Sequence, residues 1–383
     1  MLQDQKIQSF IYLRNTTQII SYIIFLFINF LFSYKYGSRF CDYALQLSFV
    51  YILVLILLPF AINKVPKRFF SWKITSALLL VVSIFFVISF LLIDVEKLRV
   101  DRWLMINTFL DNLLNGRYPY ISKPDVNVPG PFPFYYILAF PFYIIGEIGY
   151  MSLIGVLGFI YLFIKIDKSS NRNALFVMIL LLFSTSFYWE MFVRSTIIVN
   201  MVVLLWYLFF LEKMDKVNLR KLIGMGIIGG LVLSTRSLIA LPILIYFIYA
   251  YLRRREYKRF LVLSISVLFT FILTFLPLYI WDPVLFKEYN PILLQSNFMP
   301  VIILPWIFVI SIILGLFCKN INNVFFYSGL VLFASVLISM GINVNEYGFN
   351  KSLFASYFDI SYFNFSIPLL ILSIVNTRST DCR

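Results

Sequence analysis

The sequence predicts an all-α protein that crosses a membrane about twelve times. Apolar residues make up 61% of its 383 residues, against roughly 45–50% in globular proteins, and only 13% are charged, against about 25%. So little charge cannot cover a soluble surface. Long apolar runs also recur along nearly the whole chain, and about 20 such residues in a helix span the hydrocarbon core. These runs are too long for barrel strands, and open sheets cannot span lipid, so we expect helices.

The predicted spans begin near the N-terminus and form one integral membrane domain over 1–383. The first run is too long for a signal-peptide core and lacks a small-residue cleavage site, so we expect it to stay in the membrane. The spans are predicted at 16–34, 43–63, 74–93, 149–166, 174–190, 195–211, 221–235, 237–252, 260–280, 300–318, 323–342 and 359–376.

The segment 132–147 is apolar but short, and it contains Pro133 and Pro141. Irregular backbone is tolerated at membrane depth where it lines a cavity. We therefore expect a re-entrant or juxtamembrane segment that forms a cavity wall.

Short loops rich in Lys and Arg set the predicted orientation, because such loops stay on the cytoplasmic side. The basic loops are 64–73, 165–173, 212–221 and 253–259. If 132–147 does not span, all of them fall on one side and both termini are cytoplasmic. The net charge of +14 then lies almost wholly inside. It therefore indicates orientation and requires no nucleic-acid partner.

The lack of His and of cysteine motifs limits the residues that could act as bases, nucleophiles or metal ligands. The chain has no His, which excludes Ser-His triads, His bases and His metal ligands. Its cysteines, Cys41, Cys318 and Cys382, have no metal or disulfide spacing, so we expect inert thiols. Carboxylates are the remaining natural bases.

The segment 94–131 is the conspicuous predicted outer loop, with 281–299 and 342–358 as further outer segments. Loops of this length are uncommon and often functional. Within the first, 98–115 has helical amphipathic spacing, with Trp103 on its apolar side, and Gly116 follows as a stop. We expect a helix in the outer membrane interface. A purely interfacial helix without a catalytic role would show the same periodicity.

Several short motifs follow one another in this region. An acidic helix mouth, Asp94 and Glu96, precedes Asp101-Arg102-Trp103. Gly116-Arg117-Tyr118-Pro119-Tyr120 and a stiff Pro-rich stretch, 128–133, come next. This order resembles the first extracytoplasmic loop of bacterial multi-pass glycosyltransferases of the GT-C fold. The resemblance is strongest over about 94–150, and the chain departs from the family pattern in having two helices before the one that leads into the loop.

The resemblance implies a membrane enzyme of the bacterial inner membrane with its active site on the periplasmic side. It implies transfer of a hexose or pentose from a polyprenyl-phosphate donor to a lipid-linked glycan, polysaccharide or protein acceptor. The acceptor hydroxyl needs a base, for which Asp101 matches the family position. Asp94 and Glu96, at the helix mouth, are the alternatives.

The resemblance also implies a set of substrate-binding residues. Arg194 and Arg236 lie at predicted outer helix ends and suit the donor phosphate by their planar guanidinium groups. The alternative for both is contact with lipid headgroups. Glu190 would face Arg194 if one helix carried both. The full predicted set is Arg102, Tyr118, Tyr120, Glu190, Arg194, Arg236 and Asp282.

No cofactor is expected. Mg²⁺ or Mn²⁺ could take carboxylates together with a phosphate oxygen. The loop has no Asp-x-Asp triplet, however, and Asp94-Val95-Glu96 is its nearest equivalent. We therefore predict no tightly bound metal.

Two other functions suit the same composition. A flippase or other transporter of lipid-linked oligosaccharides often shows internal repeats, which the two halves of this sequence lack. An outer-face polysaccharide polymerase or ligase would share the lipid-phosphate substrates, but it places its main loops late in the chain. The early position of the motif-rich loop favours the transferase.

Overall fold

The computed structural model of the protein is helical throughout the part of the chain that it describes. Helix accounts for 80% of the structure, and the described ranges contain no strand. Those ranges are 15–66, 69–98, 100–122, 127–166, 171–195, 197–214, 218–296 and 299–375.

Six helices are long and apolar enough to cross a membrane. They are α1 (Thr16–Gly37), α2 (Ala44–Lys64), α3 (Trp72–Leu92), α6 (Gly149–Ile166), α12 (Tyr257–Trp281) and α16 (Ile321–Tyr347). A seventh span would come from α7 (Asn171–Leu182) and α8 (Thr185–Phe192), which meet at a 68° bend. The prediction of a polytopic helical membrane protein is confirmed at this level, and the count of twelve spans stays a prediction.

The remaining predicted spans are shorter or interrupted. They correspond to α9 (Ile197–Glu212), α10 (Leu219–Leu233), α11 (Ala240–Phe247), α15 (Leu304–Phe317) and α18 (Ile367–Val375). The run predicted over 237–252 is divided into a 3₁₀ turn (Ser237–Ile239), α11 and a π-helical turn (Ile248–Leu252). The run over 359–376 begins as a 3₁₀ helix (Ile360–Phe365) before α18.

The amphipathic helix predicted over 98–115 is present as α4 (Arg102–Leu114). It starts later than expected because a 3₁₀ turn (Glu96–Leu98) precedes it. The segment 132–147 forms α5 (Pro133–Ile145), which opens on a proline and ends at Gly146 in the left-handed conformation, with φ 86°. Thirteen residues of helix extend about 20 Å, less than the hydrocarbon thickness, so α5 by itself is too short for a straight span.

Two predicted outer segments are largely helical. Within 281–299 lie α13 (Pro283–Glu288) and α14 (Pro291–Ser296). In the segment 342–358, α16 continues to Tyr347 and α17 (Phe349–Leu353) follows. The prolines at the starts of α13 and α14 favour helix there, because proline fits the first turn of a helix.

The described helices pack into two compact units, each assembled from separate stretches of the chain. Unit 1 comprises 1–86, 157–189 and 320–383, and unit 2 comprises 87–156 and 190–319. The single membrane domain over 1–383 stays a prediction.

Small residues let the helices of unit 2 approach closely. Gly226 and Gly230 lie one turn apart on α10 and face α12. A Cβ at Gly230 would lie 2.6 Å from the carbonyl oxygen of Val267, and one at Gly226 would collide with Ser266. This is the Gly-x-x-x-Gly spacing by which membrane helices pack backbone to backbone.

In unit 1, Asn29 of α1 holds the bend between α7 and α8. Asn29 is fully buried, and its side-chain oxygen accepts hydrogen bonds from Ser184 Oγ at 2.8 Å and from the backbone N–H of Ser186 at 3.3 Å. Its amide nitrogen donates to the carbonyl of Phe25 at 2.9 Å. The break therefore keeps its polar groups satisfied away from water.

Asn29→Leu should lower the free energy of unfolding by about 2 kcal/mol, because the N–H of Ser186 and the hydroxyl of Ser184 lose a buried acceptor. Thermal unfolding of the purified protein in detergent measures the loss. Ser83→Ala is the control, since Ser83 Oγ bonds only within its own helix, to Leu79 O, and should change stability little. Equal losses in the two variants would contradict the role of Asn29.

Candidate functional site

All of the predicted site residues lie in unit 2. The structure brings some of them together around the start of α4, the junction between α8 and α9, and the turn after α10. Asp94 and Asp282 make other contacts, Asp94 with Lys97 and Asp282 with the start of α13.

A buried ion pair joins Arg102 at the start of α4 to Glu190 in α8. Arg102 Nη1 lies 3.1 Å from Glu190 Oε1 and donates at 2.7 Å to Ser195 Oγ, just before α9. The side chains are 13% and 1% exposed, so the pair is shielded from water and charge-assisted. It positions the amphipathic helix against the α8–α9 junction.

Arg194 lies in that junction, with a backbone φ of 53° that is rare for a residue with a side chain. Because α8 ends at Phe192, Glu190 and Arg194 do not face each other as a helical pair. Arg194 instead forms an ion pair with Glu147, with 3.2 Å between Nε and Oε1.

The rest of the Arg194 guanidinium binds backbone carbonyls. Nη2 donates to Phe90 O at 2.8 Å and to Ile93 O at 3.0 Å, and Nη1 donates to Phe192 O at 2.7 Å. The side chain is 1% exposed. These protein acceptors occupy the guanidinium, so the geometry favours a positioning role over the phosphate contact expected for it.

Hydrogen bonds hold the loop after α4 in place. Asn112 Nδ2 donates to Ile121 O at 2.8 Å, and the Tyr120 hydroxyl donates to Pro131 O at 2.8 Å. Both tyrosines of the Gly116–Tyr120 motif are buried, with Tyr118 3% exposed and Tyr120 fully enclosed. The aromatic side chains expected to line a site thus point into the protein.

The Pro-rich stretch docks on the turn that follows α10. The N–H of Phe132 donates to Thr235 O at 3.2 Å. Gln295 of α14 bridges the two segments, since its Nε2 donates to Gly130 O at 2.6 Å and its Oε1 accepts from the N–H of Ser237 at 2.6 Å. Arg236 is carried between these contacts.

Arg236 differs from Arg194 in that part of its guanidinium is buried without a hydrogen-bond partner among the described residues. Its Nε is buried and makes no hydrogen bond within the described part of the chain. The group lies 6.0 Å from the ring centre of Tyr135, and a Cβ at Gly130 would lie 3.7 Å from its Nη1. The charges of Arg236, Arg102 and Glu190 all act on the Tyr135 hydroxyl. Arg236, Arg102 and Glu190 thus lie around Tyr135, and we call these four residues the Arg236 cluster.

Two buried hydroxyls near this cluster also find no partner among the described residues, those of Tyr118 and Tyr136. Burial, and then the charge of Asp282, raise the pKa of Tyr118 to about 12. The hydroxyl therefore stays protonated at neutral pH and can donate. The ring of Tyr118 packs edge-on against Trp281, with 6.3 Å between centroids.

The three predicted acids have different surroundings. Asp101 precedes α4 without capping it, and its carboxylate accepts hydrogen bonds from the backbone and side-chain nitrogens of Asn127. Asp94 is exposed and pairs with Lys97 at 3.6 Å, a surface contact that stabilises little. Glu96 lies in the 3₁₀ turn, and its side chain falls outside the described residues.

Asp282 performs a structural task. Its carboxylate caps α13 by accepting from the N–H groups of Val284 at 2.9 Å and Leu285 at 3.0 Å. The described residues contain no group of three or more Asp, Glu or Cys placed to hold a metal ion.

Several residues of this region were not predicted from the sequence. Glu147, Ser195, Asn127 and Gln295 bind predicted residues or the segments that carry them. Glu147 had a readable signal, since a carboxylate at the end of an apolar segment is costly unless it is paired. The other three are ordinary polar residues in sequence.

Comparisons of the chain with protein-family models, with curated proteins and with solved structures find no match.

Arg194→Met should lower the free energy of unfolding by about 3 kcal/mol, because Glu147 and several helix-end carbonyls lose their partner. Arg194→Lys should recover only part of this, since an ammonium cannot reproduce the planar set of donors. Arg236→Met should leave stability unchanged or higher, because its buried Nε has no partner to lose. Thermal unfolding measures the stability of the three variants. Equal destabilisation of Arg194→Met and Arg236→Met would contradict the structural role of Arg194.

Proposed function

We propose that the protein is a membrane glycosyltransferase of the GT-C type. It moves a hexosyl or pentosyl group from a polyprenyl-phosphate donor to a lipid-linked glycan, polysaccharide or protein acceptor. The order of motifs over 94–150 and the cluster in unit 2 support this function.

The observation that carries the proposal is the buried Nε of Arg236, which lacks a partner among the described residues, in the same unit as the buried, unpartnered hydroxyls of Tyr118 and Tyr136. Buried polar groups are almost always hydrogen-bonded, so such a set indicates a polar ligand. Arginine nitrogens can only donate, and protonated tyrosine hydroxyls can donate as well. A phosphate oxygen accepts such bonds and carries the opposite charge.

Donor and acceptor chemistry can be assigned to residues. Asp101 takes the proton from the acceptor hydroxyl while that oxygen forms a bond to the anomeric carbon. The bond between the anomeric carbon and the phosphate oxygen breaks, and the electron pair leaves with the polyprenyl phosphate. Arg236 stabilises the charge on the departing phosphate, and the developing positive charge on the sugar favours a nearby carboxylate.

The proposed setting is the bacterial inner membrane. Both termini are cytoplasmic and the cluster faces the periplasm, as the distribution of Lys and Arg between loops indicates. Membrane lipids surround the apolar helices, which leave many large apolar side chains exposed.

Asp101→Asn should reduce transfer of labelled sugar from polyprenyl phosphate about 100-fold or more, because the amide cannot accept the proton. The assay uses the purified full-length protein with a panel of polyprenyl-phosphate sugars. Arg236→Met should also lower turnover while stability holds.

Asp111→Asn is the matched control for Asp101→Asn. Asp111 lies in α4, the helix that Asp101 precedes. Its carboxylate accepts a hydrogen bond from the Tyr143 hydroxyl at 2.6 Å, and the amide oxygen of asparagine can still accept that bond. Asp94→Asn tests the rival base. Near wild-type turnover of Asp101→Asn would refute its role, and movement of a lipid-linked glycan across vesicles without transfer would favour a flippase.

Ser122→Cys tests the orientation. In a variant whose Cys41, Cys318 and Cys382 are replaced by Ser, a membrane-impermeant thiol reagent should label position 122 from the periplasmic side. A cysteine introduced at Lys221, in a predicted cytoplasmic loop, should be labelled only after the membrane is opened. The reverse pattern would overturn the proposed topology.

A further inference from the structure

We infer that unit 1 contains a second ligand site, which binds an uncharged, hydroxyl-rich sugar headgroup. It lies where the C-terminal ends of α1 and α16 meet α17 and the 3₁₀ helix Ile360–Phe365. Its residues belong to a different unit from the Arg236 cluster, and its existence does not rest on sugar transfer.

Hydrogen bonds to backbone carbonyls bring the ends of these elements together. The N–H of Phe358 donates to Ser352 O at 3.0 Å. Lys35 at the end of α1 is 3% exposed and donates to Phe358 O at 3.4 Å. Asn343 Nδ2 of α16 donates to Tyr357 O at 3.5 Å. The segment that carries Ser352 is therefore held against both long helices.

Several polar side chains in this region have no partner among the described residues. Asn364 is fully buried, and neither its amide nitrogen nor its amide oxygen is hydrogen-bonded. The hydroxyls of Ser361 and Ser352 are likewise buried and unpartnered. Ser361 and Asn364 are three residues apart on a 3₁₀ helix, which aligns their side chains on one side.

Polar side chains of α16 also reach this region. Ser335, Ser339 and Asn343 follow one another at intervals of one turn. Ser335 Oγ donates to Val331 O at 2.7 Å, the usual solution for a serine within a helix. Ser339 Oγ and the side-chain oxygen of Asn343 make no such bond. Ser339 and Asn343 lie toward the end of α16 that meets α17 and the 3₁₀ helix, whereas Ser328, near the start of α16, is buried and unpartnered as well.

The chemistry of these groups identifies the ligand class. Serine hydroxyls and asparagine amides are neutral and both donate and accept, as the hydroxyls of a sugar do. Two of the nearby charged groups bind the protein: Lys35 donates to a carbonyl, and Asp359 accepts from the N–H of Ser361 at 3.0 Å. Lys351 is exposed, outside the set of buried polar groups. Tyr347 and Tyr357, whose rings are 5.3 Å apart and 42% and 57% exposed, add aromatic surface beside the segment. Apolar faces with a few convergent polar groups are typical of small-ligand sites.

The test measures thermal unfolding of the full-length protein in phosphatidylcholine vesicles, followed by tryptophan fluorescence. The probes are octyl glucoside, galactoside, mannoside and N-acetylglucosaminide, each below its micellar concentration. At least one glycoside should raise the unfolding temperature by about 2 °C or more, because a ligand that binds only the folded state stabilises it. Octyl tetraethylene glycol ether has the same chain without sugar hydroxyls and should not.

Asn364→Leu should abolish the shift, and Ser361→Ala should at least halve it, which covers the case in which the first variant fails to fold. Ser335→Ala is the matched control and should keep the full shift, because its hydroxyl is already satisfied within α16. Asp101→Asn should also keep it, so a failure of the proposed transferase leaves this result independent. The inference is overturned if no glycoside shifts the wild type, if the polyether shifts it equally, or if the shift survives in both Asn364→Leu and Ser361→Ala.

Discussion

The ion pair between Arg194 and Glu147 holds together the helix ends that carry the candidate site. Its guanidinium also closes the carbonyls at the end of α3 and the end of α8. A helix end among apolar neighbours leaves backbone groups unsatisfied, and in this setting no water replaces the lost partner. Arg194 supplies that partner at several ends at once, so the end of α3, the start of α6 and the α8–α9 junction depend on it.

The polar side chains of the structure separate into two kinds on this basis. Asn29, Arg194, Asp282 and Gln295 bind backbone atoms at breaks, caps and turns. Other buried groups, above all those of Arg236 and Asn364, make no bond within the described residues. The first kind explains how an irregular helical chain remains stable without water. The second kind also occurs outside the two proposed sites, for example at Asn200, Tyr207 and Ser328. The groups in the proposed sites differ in charge: those of unit 2 are a guanidinium and phenol hydroxyls, and those of unit 1 are neutral amides and hydroxyls.

Periodicity and composition were sufficient for the helices but not for their interruptions. The amphipathic spacing around Trp103 led to α4, and two prolines led to a short element at α5. The bend between α7 and α8 was not predicted, because Ser184-Thr185-Ser186 is only a short polar interruption of an apolar run. The contact that stabilises the bend comes from Asn29, more than a hundred residues away. Pairings across such distances depend on packing and leave no local pattern. The same reason hid Glu147 as the partner of Arg194.

The sequence by itself determined that this is a helical membrane protein, because composition and long apolar runs decide that class. The lack of His also restricted the candidate residues of the proposed site to carboxylates, arginines and tyrosines. It also marked the loop around Asp101, since short motifs are local. Only the tertiary structure decided which arginine is committed and which is not. Arg194 and Arg236 look alike in sequence, each at a predicted helix end, but one binds a carboxylate and carbonyls whereas the other lies over the ring of Tyr135. Hydrogen-bond partners are a property of packing, and packing joins segments that sequence keeps apart.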